Sequence, residues 1–285
     1  MLDSLVVLLR AAIFASLLQA AGVVLLLGLF KSNLTVSKHP ICLLGGRAAF
    51  FGIFLILARY LIEPARLTGS LAGIFDISIH EFLITSNLGA TQFLRLLGLI
   101  IVGISLRESS DIRQRIGFFG VILIVSSFSF MGHTAASEQR WIISILLTIH
   151  LLLAAFWFGA LVPLRLISSL ETAKIAGRLI GHFSKVAVYT VPLILLAGFG
   201  ITVLLLPSIN SLRTPYGILL ISKTVGFIAL MGVAALNKFK LGPSVATGSE
   251  RSLKSFKRVV SFEILLIVLV LTLTATMTTL YSPEH

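Results

Sequence analysis

Runs of about twenty apolar residues recur along this chain of 285 residues, and they restrict what it can fold into. Hydrophobic residues make up 57% of the sequence and charged residues only 12%, whereas soluble domains carry about 25% charged residues. Within lipid, backbone N–H and C=O groups must pair with one another, and a helix of roughly 20 residues achieves this while crossing the bilayer. The sequence therefore predicts an all-α, polytopic membrane protein embedded in the lipid bilayer.

The apolar runs predict a bundle of eight transmembrane helices within a single integral membrane domain, residues 1–285. The first run is interpreted as a retained span, because Asp3 and the absence of a basic residue before Arg10 do not fit a signal peptide. The eight predicted spans are 11–30, 41–62, 88–106, 116–132, 141–164, 184–206, 216–237 and 260–281.

The basic residues of the loops predict the orientation. Fifteen Lys and Arg residues fall in the odd-numbered loops. Four lie on the opposite side, Arg10 before the first span and Arg66, Arg140 and Arg213 in the even-numbered loops. Cytoplasmic loops are the ones enriched in Lys and Arg. We therefore expect the odd loops in the cytoplasm and both termini in the periplasm. Since the net charge of +12 follows from this bias, it does not indicate nucleic-acid binding.

Two features of the second span and the loop after it carry further expectations. Arg47 and Arg59 lie near opposite ends of the span and are expected to snorkel toward water. Loop two, residues 63–87, carries spaced apolar residues that indicate a short interfacial helix: Ile74, Ile77, Phe82 and Ile84.

His150 lies nine residues into the fifth span, about 13 Å below Trp141 at 1.5 Å per residue. An imidazole at that depth costs free energy unless it is paired, ligated or facing water. Trp157, seven residues on, shares its helical face, which favours the wall of a polar cavity. The alternative is that His150 only hydrogen-bonds a neighbouring helix.

His133 ends the preceding run, across a loop of about eight residues, so both histidines are expected in the outer half of one helical hairpin. Met131 lies two residues before it. Imidazole with a thioether suits Cu(I), and imidazole alone suits copper, zinc or nickel. The alternatives are a histidine in contact with water and a methionine in the core.

Three further residues are candidates for an ion pathway or a gate. Tyr216 begins the seventh span and Lys223 lies seven residues deeper on the same face. Lys223 either snorkels or faces the bundle interior. Glu263 lies near the cytoplasmic end of the eighth span, where it either pairs with nearby basic residues or serves as an ion exit.

Missing motifs exclude several classes of protein. The chain has no Walker A sequence, no CxxC and no HExxH, so ATP hydrolysis, P-type copper pumping and intramembrane zinc proteolysis are not predicted. Di-haem cytochromes need four histidines within spans, and His150 alone is clearly within one. No enzymatic activity is expected.

Six segments follow one another along the chain in a recognisable order. They are GHTA at 132–135, HLLLAAFWFGALVPL at 150–164, FSKVAV at 183–188, TPYGILLISK at 214–223, ALNKFKLGP at 235–243 and RVVSFEILLIVLVL at 258–271. Together they resemble the copper-resistance protein D (CopD) family of bacterial inner-membrane proteins. The order and spacing of these segments carry the resemblance, and the N-terminal third matches more loosely.

The resemblance implies copper-ion transport across the bacterial inner membrane, generally from periplasm to cytoplasm, in copper homeostasis or resistance. It implies that His133 and His150 ligate copper, and that a periplasmic copper-binding protein of the CopC type is a partner. The alternatives are an accessory protein that delivers copper without transporting it, by metalloenzyme assembly or chaperone docking, and a haem-binding redox protein.

Overall fold

The chain folds into long helices that run back and forth across one bundle. This computed structural model describes residues 2–108, 110–132, 137–206, 208–241, 245 and 250–281. The helices of these residues are α1 (Leu2–Phe30), α2 (Lys38–Thr68), α3 (Ile77–Thr85), α4 (Asn87–Ser105), α5 (Asp111–Ser126), α6 (Arg140–Leu170), α7 (Ala173–Leu205), α8 (Pro215–Leu236) and α9 (Glu250–Leu280).

Eight of these helices are long and apolar enough to cross a membrane, which confirms the predicted all-α bundle. Five of the predicted spans were shorter than the helices, because the chain continues helical beyond the apolar part. The largest differences are at α7, which begins at Ala173 rather than 184, and at α9, which begins at Glu250 rather than 260. The predicted fourth span ends as a 3-10 turn, Ser127–Phe130.

Helix ends follow local capping chemistry. Ser86, Ser110 and Thr214 cap α4, α5 and α8 by accepting hydrogen bonds from backbone N–H groups of the first turn. Helix α2 ends at Gly69, whose φ of 67° is in the left-handed region that glycine adopts without a Cβ clash.

The segment between α2 and α4 contains the predicted short helix. It is α3, which begins after a 3-10 turn at Leu71–Phe75 and is capped by Asp76. Ile77, Phe82 and Ile84 on it are all more than 60% exposed, as expected for side chains that meet the membrane interface.

Helix α1 lies at the centre of the bundle. It packs against α2, α4, α5, α6 and α9, while α7 packs on α6 and α8 on α9. The backbones of α1 and α6 approach closely at Gly22 and Gly159, where a Cβ on Gly22 would collide with the Ala155 carbonyl oxygen. Gln19 of α1 also donates a hydrogen bond of 3.0 Å to the Gly159 carbonyl.

Connections that were predicted to lie on the same side of the membrane lie at the same end of the bundle. At one end, Lys31 of the first connection contacts Asp111 at the start of α5, at 2.6 Å. At the other end, Arg10 of α1 donates to the Thr278 carbonyl of α9, at 2.6 Å. We call these the inner and outer ends, following the predicted orientation. Even-numbered connections lie at the outer end with the beginning of α1 and the end of α9.

Glu171 joins the α6–α7 junction to the connection between α1 and α2. Its carboxylate accepts hydrogen bonds from the backbone N–H and the hydroxyl of both Thr35 and Ser37. Burial by itself raises the pKa of Glu171, but these four hydrogen bonds more than reverse that effect and lower the pKa to about 2. The anionic carboxylate is therefore the form that stabilises this junction.

Replacing this carboxylate tests its contribution to stability. A carboxyl pKa lowered by folding stabilises the protein fully above its unfolded value, near 4.5, and the stabilisation is lost as pH falls toward 2. We expect Glu171→Gln to lower Tm in detergent at pH 7, since each charge-assisted hydrogen bond contributes about 1.5–3 kcal/mol. Measured by thermal unfolding, the difference from wild type should shrink between pH 4.5 and 3; a constant difference would contradict this role.

Candidate functional site

His150 lies on the face of α6 that meets α7. Its Nδ1 is 2.9 Å from the carbonyl oxygen of Ile194. Because a carbonyl only accepts, Nδ1 carries the proton of the neutral ring and Nε2 carries the lone pair. A hydrogen bond from one ring nitrogen to a backbone carbonyl is the usual way in which proteins orient the other nitrogen toward a metal.

Gly198 makes room for this imidazole. A Cβ at Gly198 would lie 3.2 Å from Cε1 and 3.3 Å from Nδ1 of His150, so a larger residue would press on the ring. The GFG sequence at 198–200 is of the small-residue kind that allows close helix approach. The sequence did not indicate that Gly198 would lie against the ring of His150.

Lys223 and the outer part of α8 lie near His150. The Lys223 ammonium is within Coulombic range of the imidazole, and its side chain is half-buried. Tyr216, two turns above it, is buried in the first turn of α8. The structure therefore places Lys223 within Coulombic range of His150, with Tyr216 farther toward the outer end of α8.

Trp157 lies in an apolar environment. It is 4% exposed, and its ring packs edge-on against Phe227 of α8 with 5.9 Å between centroids. Phe227 is one helical turn below Lys223. On the inner side of His150 the space between α6 and α8 is thus filled by an aromatic pair.

Glu263 of α9 is 3% exposed and lies in the inner half of the bundle. Asn237, where α8 passes into a π-helical turn, donates a long hydrogen bond of 3.5 Å from Nδ2 to its Oε1. No ion pair to Glu263 occurs among the described residues. Asn237 was missed in the sequence, although an amide that ends an apolar run is itself a signal.

The predicted ligands do not converge within the part of the chain that the structure describes. His133 lies outside the described residues. Met131 is half-buried just after the 3-10 turn that follows α5. Across the described ranges, no three His, Cys, Asp or Glu side chains lie close enough to hold a metal ion together. His150 and Glu263 are therefore separate polar positions along α6 and α9.

The expectation that Arg59 snorkels is wrong, whereas Arg47 is exposed. Arg59 is 4% exposed and lies 3.8 Å from Glu63, one turn later on α2. Its stem points into the bundle because a carboxylate there offers a partner.

The fold and these side chains define a class, a polytopic α-helical membrane protein with a histidine side chain held in place inside a span. The chain belongs to the copper resistance protein D family. The family model described as copper resistance protein D-like, N-terminal domain, matches residues 1–141, and the model described as copper resistance protein D matches residues 177–277.

Two curated relatives carry copper-related names. The chain is 24% identical to copper resistance protein D of Pseudomonas syringae pv. tomato, over 99% of this chain and 98% of the relative. It is 29% identical to the copper transport protein CutJ of Bacillus subtilis, over 48% of this chain and 26% of the relative. No solved structure matches the chain. A copper-related function in a multi-pass membrane protein follows from these similarities.

The substitution Glu263→Gln tests whether the carboxyl group of Glu263 stabilises the fold. An amide of the same shape removes the cost of burying an ionisable group and keeps an oxygen that can accept the one long hydrogen bond from Asn237. We expect the Tm in detergent to stay equal or rise, by up to about 3 °C for each kcal/mol gained. The same Glu-to-Gln change at Glu171 is the matched control and should lower Tm. A large fall in Tm for Glu263→Gln would mean that the carboxyl group holds the bundle together.

Proposed function

We propose that the protein transports copper ions across the bacterial inner membrane, from the periplasm to the cytoplasm, and so contributes to copper homeostasis or resistance. The observation that carries the proposal is the hydrogen bond from His150 Nδ1 to the Ile194 carbonyl, which directs Nε2 to serve as a ligand within a span. Membership of the copper resistance protein D family supplies the identity of the ion.

In this proposal copper is the substrate and passes along α6, α8 and α9. It arrives in the periplasm, donated by a CopC-type protein, and is first held by His133 with Met131. It then moves to His150, and Tyr216 and Lys223 line or gate the entry. Glu263, farther toward the inner end, receives the ion before it leaves.

Weak binding at His150 suits transport rather than storage. In this route Cu(I) is held first by one imidazole and one thioether, from His133 and Met131, and then by the imidazole of His150. Each position therefore offers the ion few ligands. The nearby Lys223 ammonium repels a bound cation, which lowers the affinity at His150 and favours release. In this scheme Trp157 and Phe227 must move apart, since they fill the space on the inner side of His150.

A second candidate function is favoured by that same aromatic pair. An accessory protein that receives copper at the outer side and hands it to a metalloenzyme, without transport, needs no route past Trp157. The two candidates differ in whether copper reaches the inner compartment.

Copper accumulation with single-residue variants tests the transport proposal. We expect cells that express the protein to contain more copper than cells without it, and His150→Ala to reduce the difference by tenfold or more, of the order found when a ligand set is disturbed. His39→Ala, an exposed histidine at the inner end, is the matched control and should retain the difference. Whole-cell copper is measured by elemental analysis.

Proteoliposomes distinguish transport from delivery. Purified protein should move copper into sealed vesicles, and replacement of His133 and His150 together should abolish this uptake. Uptake unchanged in the double variant would rule out the histidine route. Copper bound by wild-type protein without entering the vesicle lumen would support the accessory function instead.

A further inference from the structure

Three arginine side chains from three helices lie inside the outer end of the bundle. They are Arg10 of α1, Arg59 of α2 and Arg95 of α4, which we call the arginine cluster. Each lies eight or nine residues from the outer end of its helix, which is about 12–14 Å of helix rise. Arg59 and Arg95 are each 4% exposed, and Arg10 is half-buried. The cluster is therefore set below the level of the outer loops.

Ring contacts and charge interactions join these side chains into one region. The Arg95 guanidinium lies 4.4 Å from the centroid of the Phe128 ring, and Arg10 lies 6.0 Å from that of Phe14. The two rings touch, with centroids 5.4 Å apart. Arg59 is within Coulombic range of both Arg10 and Arg95. Three positive charges thus share one partly apolar space.

Carboxylates do not balance these charges among the described residues. Glu63 lies 3.8 Å from Arg59 and 3.1 Å from Arg66, and Asp3 lies 3.6 Å from Arg66. Two carboxylates are therefore shared among four arginines, which are the arginine cluster and Arg66. Arg10 gains the Thr278 carbonyl and the Thr279 hydroxyl, at the C-terminal end of α9, where the helix dipole favours a cation.

Arg95 has no carboxylate partner among the described residues. Its Nε donates to the Ser127 hydroxyl at 3.1 Å, and its other described partner is the Phe128 ring. Nε of Arg10, Nε of Arg59 and Oε1 of Gln92 are buried and lack hydrogen-bond partners within the described residues. Gln92 lies one turn before Arg95 on the same face of α4.

A buried cation without a partner is costly, so such groups are paired in stable proteins. We propose that the arginine cluster binds one anionic phosphate group, supplied either by inorganic phosphate or by a phospholipid headgroup. Planar guanidinium groups match the oxygens of phosphate and donate to two of them at once. The site lies on α1, α2 and α4, and the proposal does not depend on copper transport.

Phosphate binding by the full-length protein in phosphate-free detergent tests the inorganic source. Radiolabelled phosphate in equilibrium dialysis should bind at one per chain, with competition by unlabelled phosphate. Arg95→Gln should weaken binding by about tenfold or more, since one charge-assisted contact is lost. Arg47→Gln, which removes an exposed arginine of α2, is the matched control and should bind as wild type does.

The lipid source gives a different result in the same preparations. If a headgroup occupies the cluster, purified wild-type protein retains about one phospholipid per chain through delipidation, and adding phosphatidylglycerol raises its Tm more than adding phosphatidylcholine. Arg95→Gln should lose both effects and Arg47→Gln neither. In fully delipidated, phosphate-free detergent, Arg95→Gln should melt no lower than wild type, because it removes an uncompensated charge. That comparison also reports whether the variant folds.

Two outcomes would overturn the proposal. One is the absence of specific phosphate binding together with the absence of retained phospholipid in wild-type protein. The other is equal binding or equal Tm gain in wild type and Arg95→Gln, because the anion would then act elsewhere on this basic protein.

Discussion

Close backbone contact between helices is the constraint on which this bundle depends. Lipid chains are as apolar as leucine, so burial alone gives helices little reason to associate within a membrane, and tight packing must do so. Helices α1 and α6 meet at Gly22 and Gly159, and α4 and α5 meet at Gly98 and Gly120, where any Cβ would collide with backbone. Because α1 contacts five other helices, its position determines where His150 and the arginines lie.

Charge is divided unequally within the bundle. The arginine cluster lies on α1, α2 and α4, whereas His150 and Glu263 lie on α6 and α9. Uncompensated positive charge in a low-dielectric interior repels a copper ion strongly. In the proposed copper transport, this repulsion disfavours a route along α1, α2 and α4, and an anion bound at the arginine cluster would moderate the field that a passing cation meets.

The candidate copper position combines a histidine that is held in place with neighbouring aromatic rings that can repack. The imidazole of His150 is held by a backbone carbonyl that side-chain substitution does not remove, and Gly198 provides the space beside it. The neighbouring Trp157 and Phe227 rings pack edge-on, with 5.9 Å between centroids. Such a division, with a rigid ligand beside groups that can repack, suits a site that must bind an ion and release it.

The sequence by itself determined the helical fold, the count of eight spans and the alternation of the loops, since lipid forces helical hydrogen bonding and basic residues mark loops. It also singled out His150 and Glu263, because an ionisable group within an apolar run is costly. Only the tertiary structure decided what each of them meets: Ile194 for His150, Asn237 for Glu263 and Phe227 for Trp157. It also brought together Arg10, Arg59 and Arg95, which are far apart in sequence. Partners on different helices depend on rotation and close approach of those helices, and the periodicity of any single span does not specify them.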